Sequence, residues 1–390
     1  VPSQPDRTGS LASDPLAGAA SLAREWAGSS CLALLLAGSH ASGEAVWIDE
    51  AGRSVCLSDV DLYAVMPDRT AQRAAAARAR AARAGLTRRL LGLGLAAPLE
   101  VAFLTPPDLE RLPARPATLE LARHGRVLSG EPEWLGRVPR YTARDIPFEE
   151  RLLMLENRGF ELLWAHAYLE SEPIQRWRAR HEVLKCALDL AGALALARGE
   201  YPAGAAARVA AARSRGAEVH AALPALWDRA LAWRRAPSTW PSASAAREEW
   251  HTVSAAWAAV WETITHPLSR GEADRVRRAR ALAGRARTRR RLRQAFGFGT
   301  GGGAGPGTWT RLRFAARGTP QHRLNASAAV LLLGAPGGGE RALSTAVRAA
   351  LADLGVLSSR ESASFASAAR ALVRRWDEWI LDGQRGAESA

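Results

Sequence analysis

Apolar and polar positions alternate most regularly from Asp59 to Met66. In an extended chain Asp59, Asp61, Tyr63 and Val65 share one side and Val60, Leu62, Ala64 and Met66 the other, which predicts a strand. Upstream, Cys31 to Ala37 is a continuous apolar run, expected to be a strand buried on both faces that delivers Gly38-Ser39 to the sheet edge. Between the two, Val46 to Leu57 reads as strand, Ala51-Gly52 turn, strand. Leu99 to Thr105 predicts a further strand stopped by Pro106-Pro107, with Leu99, Val101 and Phe103 facing one way and Glu100, Ala102 and Leu104 the other. Arg126-Val127-Leu128 is a short strand before the turn Ser129-Gly130. Helical spacing occupies Pro15 to Trp26, closed by Gly28; a stretch capped by Thr70 and running to about Leu91; and Thr118 to His124, closed by Gly125.

Pro132, Pro139 and Pro147 punctuate a connector, and from Phe148 onward the spacing is helical. Phe148, Leu152, Leu155 and Leu162 or Leu163 make one stripe; Ile174, Trp177, Leu184, Leu188 and Ala191 mark a helix from about Pro173 to Arg198. Pro224 to Arg235 and Ser244 to Ile264 continue the series. Trp227, Trp233, Trp250, Trp257 and Trp261 are expected as core or interface anchors. Arg275 to Arg293 carries ten arginines over an inward stripe of Val276, Ala279, Ala283 and Ala286. The remainder, through Leu331, Leu351, Trp376 and Trp379, reads as further helices. The expected fold is α+β: a mixed sheet with flanking helices over 1–147, then an all-α domain over 148–390 with the Gly-rich loop 297–307 inside it.

Composition adjusts this picture in two ways. The formal charge of +14 would steer anions toward the chain, but Lys185 is the only lysine, leaving 52 arginines among the 53 basic residues. With heavy alanine use, that points to coding bias as much as to nucleic acid. Cys31, Cys56 and Cys186 are isolated, giving neither a disulfide framework nor a zinc spacing. No apolar run approaches the length of a membrane helix and the first residues are polar, so the expectation is a cytoplasmic protein without a membrane partner. Walker A, G-x-S-x-G and H-E-x-x-H signatures are missing, and the G-x-G-x-x-G match at Gly297, Gly299 and Gly302 follows no strand.

The candidate chemistry lies between Leu36 and Met66. On one strand face Asp59 and Asp61 would stand roughly 6.6 Å apart at Cα, close enough for their carboxylates to converge on one divalent ion or bracket two. Mg²⁺ suits such a site because it takes a few carboxylates and keeps water or phosphate oxygens. Gly38 gives the backbone room to approach a phosphate, and Ser39 adds a hydroxyl donor. Glu100, among small and apolar neighbours, needs a partner or a metal.

Gly38-Ser39, Gly43-Glu44 and Ser58-Asp59-Val60-Asp61-Leu62 together resemble the signature of the polymerase-β-type nucleotidyltransferase superfamily, over about the first 150 residues. The gap from Ser39 to Asp59 is longer than in compact members, and the 46–57 hairpin fills it. The resemblance implies that Ser39 meets the triphosphate, that Asp59 and Asp61 bind Mg²⁺ or Mn²⁺, and that a third acidic residue comes from a later strand: Glu100, with Asp108 in reserve. It further implies transfer of a nucleoside monophosphate from a triphosphate, with ATP the expected donor, onto a hydroxyl of a small molecule or protein, releasing pyrophosphate. RNA-end addition is the alternative, with Arg275 to Arg293 as its surface, and a non-catalytic nucleotide- or RNA-binding module is a separate one.

Four other features stay open at this level. Lys185 fits a triphosphate contact across the cleft, a surface lysine, or an i,i+4 pair with Asp189. His40 reads as a hydrogen-bonded turn residue, and Tyr201 as a helix-end anchor or a base-stacking ring. Arg176 and His181 make an R-x4-H match similar to that of HEPN ribonucleases, with Trp177 where a polar residue is usual.

Overall fold

The structure, a computed structural model, describes residues 14–83, 85–265, 320–335, 342–354, 356–358 and 360–376. The basic segment 275–293, the Gly-rich loop 297–307 and Trp379 lie outside the described residues. The fold is α+β. Strands β1 (Ala33–Ala37), β4 (Val60–Val65), β5 (Leu99–Leu104) and β6 (Arg126–Ser129) form a mixed sheet in the order β5-β4-β1-β6. β1 is antiparallel to both of its neighbours, and β4 is parallel to β5.

The alternation in the strands separates the two sheet faces. Leu34, Leu36, Val60, Leu62 and Ala64 pack with Ala19, Leu22, Trp26 and Ala75 of helices α1 (Pro15–Ala27) and α3 (Arg69–Ala81). Ala33, Leu35, Ala37 and Val65 pack on the other face with Leu109, Val138 and Leu121, the last from α6 (Pro116–His124). The helix expected from Thr70 to Leu91 is in fact two, α3 and α4 (Leu86–Gly92), because Gly85 takes a left-handed φ of +81° between them. Its cap is Asp68, whose carboxylate accepts from the Thr70 and Ala71 amides, and not Thr70.

β2 (Trp47–Glu50) and β3 (Arg53–Cys56) make the expected hairpin, paired Trp47 to Cys56 and Ile48 to Val55. Both of its faces are used. Cys56 and Trp47 join the sheet's apolar cluster, whereas Val46, Ile48, Val55 and Leu57 pack into the largest cluster with the helices that follow. The Trp177 indole donates to Glu50 at 2.7 Å and fixes that docking.

Those helices are α7 (Phe148–Ala167), α8 (Pro173–Ala197), α9 (Ala205–Val219), α10 (Leu223–Arg235), α11 (Ala243–Thr265), α12 (Pro320–Gly334), α13 (Thr345–Leu354) and α14 (Phe365–Trp376). The apolar residues of α8 run around most of its circumference, and α7, α9, α10 and α11 cover it. Trp227, Trp233, Trp250, Trp257 and Trp261 are buried core anchors, and three of their ring nitrogens reach across to a neighbouring helix. Trp227 donates to the Ala187 carbonyl, Trp250 to Leu162 and Trp257 to Leu155, each within 2.8 Å, so each of these three rings locks a neighbouring helix. Among the described residues no helix is long and apolar enough to cross a membrane.

Candidate functional site

Strand register brings the predicted carboxylates to one end of the sheet. β1 ends at Ala37, paired with Asp61, and Asp61 pairs in turn with Glu100 of the parallel neighbour. Because the register is parallel, Asp61 and Glu100 occupy equivalent places on one face, and Asp59 lies just before the strand begins. Gly38-Ser39 follows β1 directly and opens the five-residue helix α2 (Gly38–Ser42). Gly38 has a φ of +65°, and a methyl group there would collide with the Asp61 carboxylate, whose Cγ would lie 3.2 Å away. Only glycine lets this carboxylate sit against the end of β1.

Lys185 approaches from α8. Its Nζ lies 3.1 Å from Oδ2 of Asp59 and 3.8 Å from Oε2 of Glu182, one turn earlier on the same helix. The i,i+4 pair with Asp189 does not form: Asp189 instead faces Arg158 at 2.6 Å, and Arg158 also holds Glu161. Helices α7 and α8 thus place a second charged layer, Arg158, Glu161, Glu182 and Asp189, behind the lysine.

Charge is poorly balanced here. Burial works against ionisation of Asp59, but the Lys185 ammonium beside it holds its carboxyl below the usual carboxylate range. Asp61 has no ion-pair partner among the described residues: burial first, then Asp59 and Glu100, push it up to about 7. Glu100 keeps an exposed side chain, yet lost hydration and then the Asp59 charge raise it too. Burial also dominates at Glu161, pushed up to about 7 despite Arg158 and Lys185. For Lys185, burial opposes the charge, but Asp59 and Glu182 outweigh it and raise the ammonium above its ordinary value. His181 is pushed down to about 3 by burial and then by Lys185, so it is neutral.

Hard oxygen donors in excess of nearby positive charge fit a divalent cation of the Mg²⁺ or Mn²⁺ type. Among the described residues, no three His, Cys, Asp or Glu side chains are gathered tightly enough to form a finished cage. The carboxylates are adjacent on their backbones, and one of them is engaged by a lysine. No family model, curated protein or solved structure matches the chain.

The other singled-out residues separate from this site. Asp108 closes a capping box with Thr105 at the start of the short helix α5 (Pro106–Leu109) and takes two bonds from Arg69, at 2.6 and 2.7 Å, so it is a structural carboxylate and not an alternative third acid. His40 is buried, with Nε2 3.5 Å from the Cys56 thiol and its ring edge-on to Trp47. Tyr201 is buried with Leu119, Ala143, Ile146 and Leu196, and the Arg208 guanidinium lies 5.0 Å from its ring centre, so it does not present a free face to a base. Arg176 is exposed while His181 is buried, so the R-x4-H pair is not assembled. Glu44 points away from the carboxylates. Its Oε1 accepts from the Ala205 amide at 2.8 Å, and Oε2 lies 4.0 Å from Arg208 and 3.9 Å from Arg234. Arg208 also binds Glu120 of α6 at 2.6 Å, completing a clasp between the loop after α2 and helices α6, α9 and α10.

Arg158, Glu161 and Glu182 were not among the predicted site residues. Glu182 and Lys185 are spaced i,i+3, a signal readable in the sequence; Arg158 and Glu161 share that spacing, but nothing local distinguishes them from other helical pairs.

Proposed function

We propose that the chain is a metal-dependent nucleotidyltransferase with a polymerase-β-type fold, its active site formed by Asp59, Asp61, Glu100, Gly38, Ser39 and Lys185. The observation that carries this reading is the pairing of Asp61 with Glu100 on adjacent parallel strands beside the glycine-serine end of β1, with Asp59 just before the first of those strands and held by the chain's single lysine. Two separate domains, 1–147 and 148–390, are part of the reading, with the reaction taking place between them.

Asp59 and Asp61 hold the cation, and Glu100 completes the donor set. Mg²⁺ or Mn²⁺ bound there would neutralise phosphate charge and favour the hydroxyl as a nucleophile. The residues do the rest. The Ser39 hydroxyl and the backbone at Gly38 donate to phosphate oxygens, and Gly38 leaves space for them because it lacks a Cβ. Lys185 meets negative charge from the opposite side. Glu100, with a raised affinity for protons, orients the acceptor hydroxyl and can take its proton. The acceptor oxygen forms a bond to the α-phosphorus as the bond to pyrophosphate breaks, and pyrophosphate leaves with the electron pair. The acceptor is a hydroxyl of a small molecule or protein, and ATP is the expected donor.

Calorimetry with ATP, GTP, CTP and UTP, with and without Mg²⁺, tests this on the wild type and an Asp59→Asn/Asp61→Asn variant. The expected result is metal-dependent binding of at least one nucleotide that the variant loses. Binding that is unchanged in the variant, or no binding of any nucleotide, would refute the reading.

A further inference from the structure

Lys185 does not point into open cleft space, as a lysine reserved for phosphate would; it is spent on Asp59. The pair is not sealed off, since the two side chains keep 26% and 27% of their exposure. A buried carboxylate oxygen waits beside it: Oε2 of Glu182 accepts no hydrogen bond among the described residues and lies 3.8 Å from Nζ. Asp61 and Glu100 make no ion pair among the described residues. The lysine therefore occupies the charge position a cation would take at Asp59, with a second carboxylate within reach to hold it when it leaves.

We infer that Lys185 is an exchangeable counter-ion: it neutralises Asp59 in the free chain, is displaced by the divalent cation, and then turns to the anionic ligand with Glu182 steadying it. The inference rests on the reading of Asp59 as a metal ligand. Its consequence is coupling. A metal arriving alone must break the 3.1 Å ion pair and leave the ammonium with Glu182 only. A polyphosphate arriving alone meets Asp61 and Glu100 unneutralised. Each ligand removes the obstacle to the other, so each raises the affinity of the other by the same factor. The device guards against metal binding without substrate, because the protein carries its own competitor for the site.

The chain's composition makes the step observable. With one lysine in the sequence, a sample grown with ¹³Cε-labelled lysine gives one side-chain signal. Mg²⁺ alone should move that signal along the metal-binding isotherm, and inorganic tripolyphosphate added with Mg²⁺ should move it further. An Asp59→Asn variant should start away from the wild-type position. In parallel, free Mn²⁺ counted by electron paramagnetic resonance should show Lys185→Met and Lys185→Gln binding Mn²⁺ alone about tenfold more tightly than wild type. A lysine signal that ignores saturating Mg²⁺, or variants that bind Mn²⁺ no more tightly than wild type, would overturn the exchange and leave the nucleotidyltransferase reading standing. Absence of Mn²⁺ binding in every form, with and without tripolyphosphate, would overturn both. The lysine spectrum of the wild type decides the matter if neither variant folds.

Discussion

At the Arg208 clasp, two guanidinium groups meet the carboxylates of Glu44 and Glu120; at the end of the sheet, Asp59, Asp61 and Glu100 share one ammonium. The first ties helices to one another and the second ties the sheet to a helix, and both take charge out of water. The first is matched, with Arg208 also packed over Tyr201. The second is left short of positive charge, and Asp61, pushed up to about 7 by burial first and then by Asp59 and Glu100, has no ion-pair partner among the described residues to offset them. A matched cluster serves cohesion. An unmatched one has a cost that a cationic ligand can recover, which is how a protein sets aside binding energy for a site.

Breaking the matched cluster should do the most damage. Arg208→Met strands Glu120 without its cation and leaves Glu44 with Arg234 alone, and unfolding in urea should show a loss of roughly 3–5 kcal/mol. At the unmatched cluster the sign reverses. A carboxyl raised in the folded state gives up stability as pH climbs from its unfolded value of roughly 3.9 toward 7, because the unfolded chain releases that proton more readily. Metal-free Asp61→Asn should therefore be more stable than wild type at pH 8 by roughly 2–4 kcal/mol and nearly equal to it at pH 4. A variant no more stable at pH 8 would remove the contrast between the clusters.

Two smaller tests sharpen it. Gly38→Ala places a methyl against the Asp61 carboxylate at positive φ and should lower stability by about 2 kcal/mol, as well as weakening Mn²⁺ binding. Thermal melts and Mn²⁺ titration of the same sample would separate backbone strain from a displaced carboxylate. Trp177→Phe removes the bond to Glu50 together with part of a buried ring and should cost about 1–2 kcal/mol, with Mn²⁺ affinity unchanged. A large loss of Mn²⁺ affinity there would mean that hairpin docking, and not the sheet end alone, sets the carboxylate geometry.

What the sequence disclosed follows from locality. Period-two alternation at 59–66 and 99–105 assigned the faces of Asp59, Asp61 and Glu100, since the pleat alone dictates them. That Asp61 stands beside Glu100 is a matter of register, set by a crossover through α3 and α4, and no local pattern encodes it. Lys185 stood out only against a background of arginine; its engagement with Asp59 required the placement of α8. The spacing of Thr105 and Asp108 is a capping-box pattern, so the structural role of Asp108 was readable from the start. No element was predicted over 205–219, because the positions α9 buries, Ala205, Val209, Ala212 and Gly216, are mostly too small to form an apolar stripe, and Arg208 lies among them. Gly216 is bare there because the Trp227 ring lies where its side chain would be.

The hairpin between Ser39 and Asp59 has a consequence for the order of assembly. Val46, Ile48 and Leu57 are laid down early in synthesis, but they share a core with helices encoded after Phe148, and Glu50 of the hairpin is tied to Trp177 of α8, which ends at Ala197. At synthesis rates of roughly 5–20 residues per second, that face stays uncovered for about 7–28 s after its own strands have emerged. The strand edges and apolar side chains exposed in that interval would be a natural point of contact for a chaperone, and the carboxylates at the sheet end acquire Lys185 only once α8 has docked.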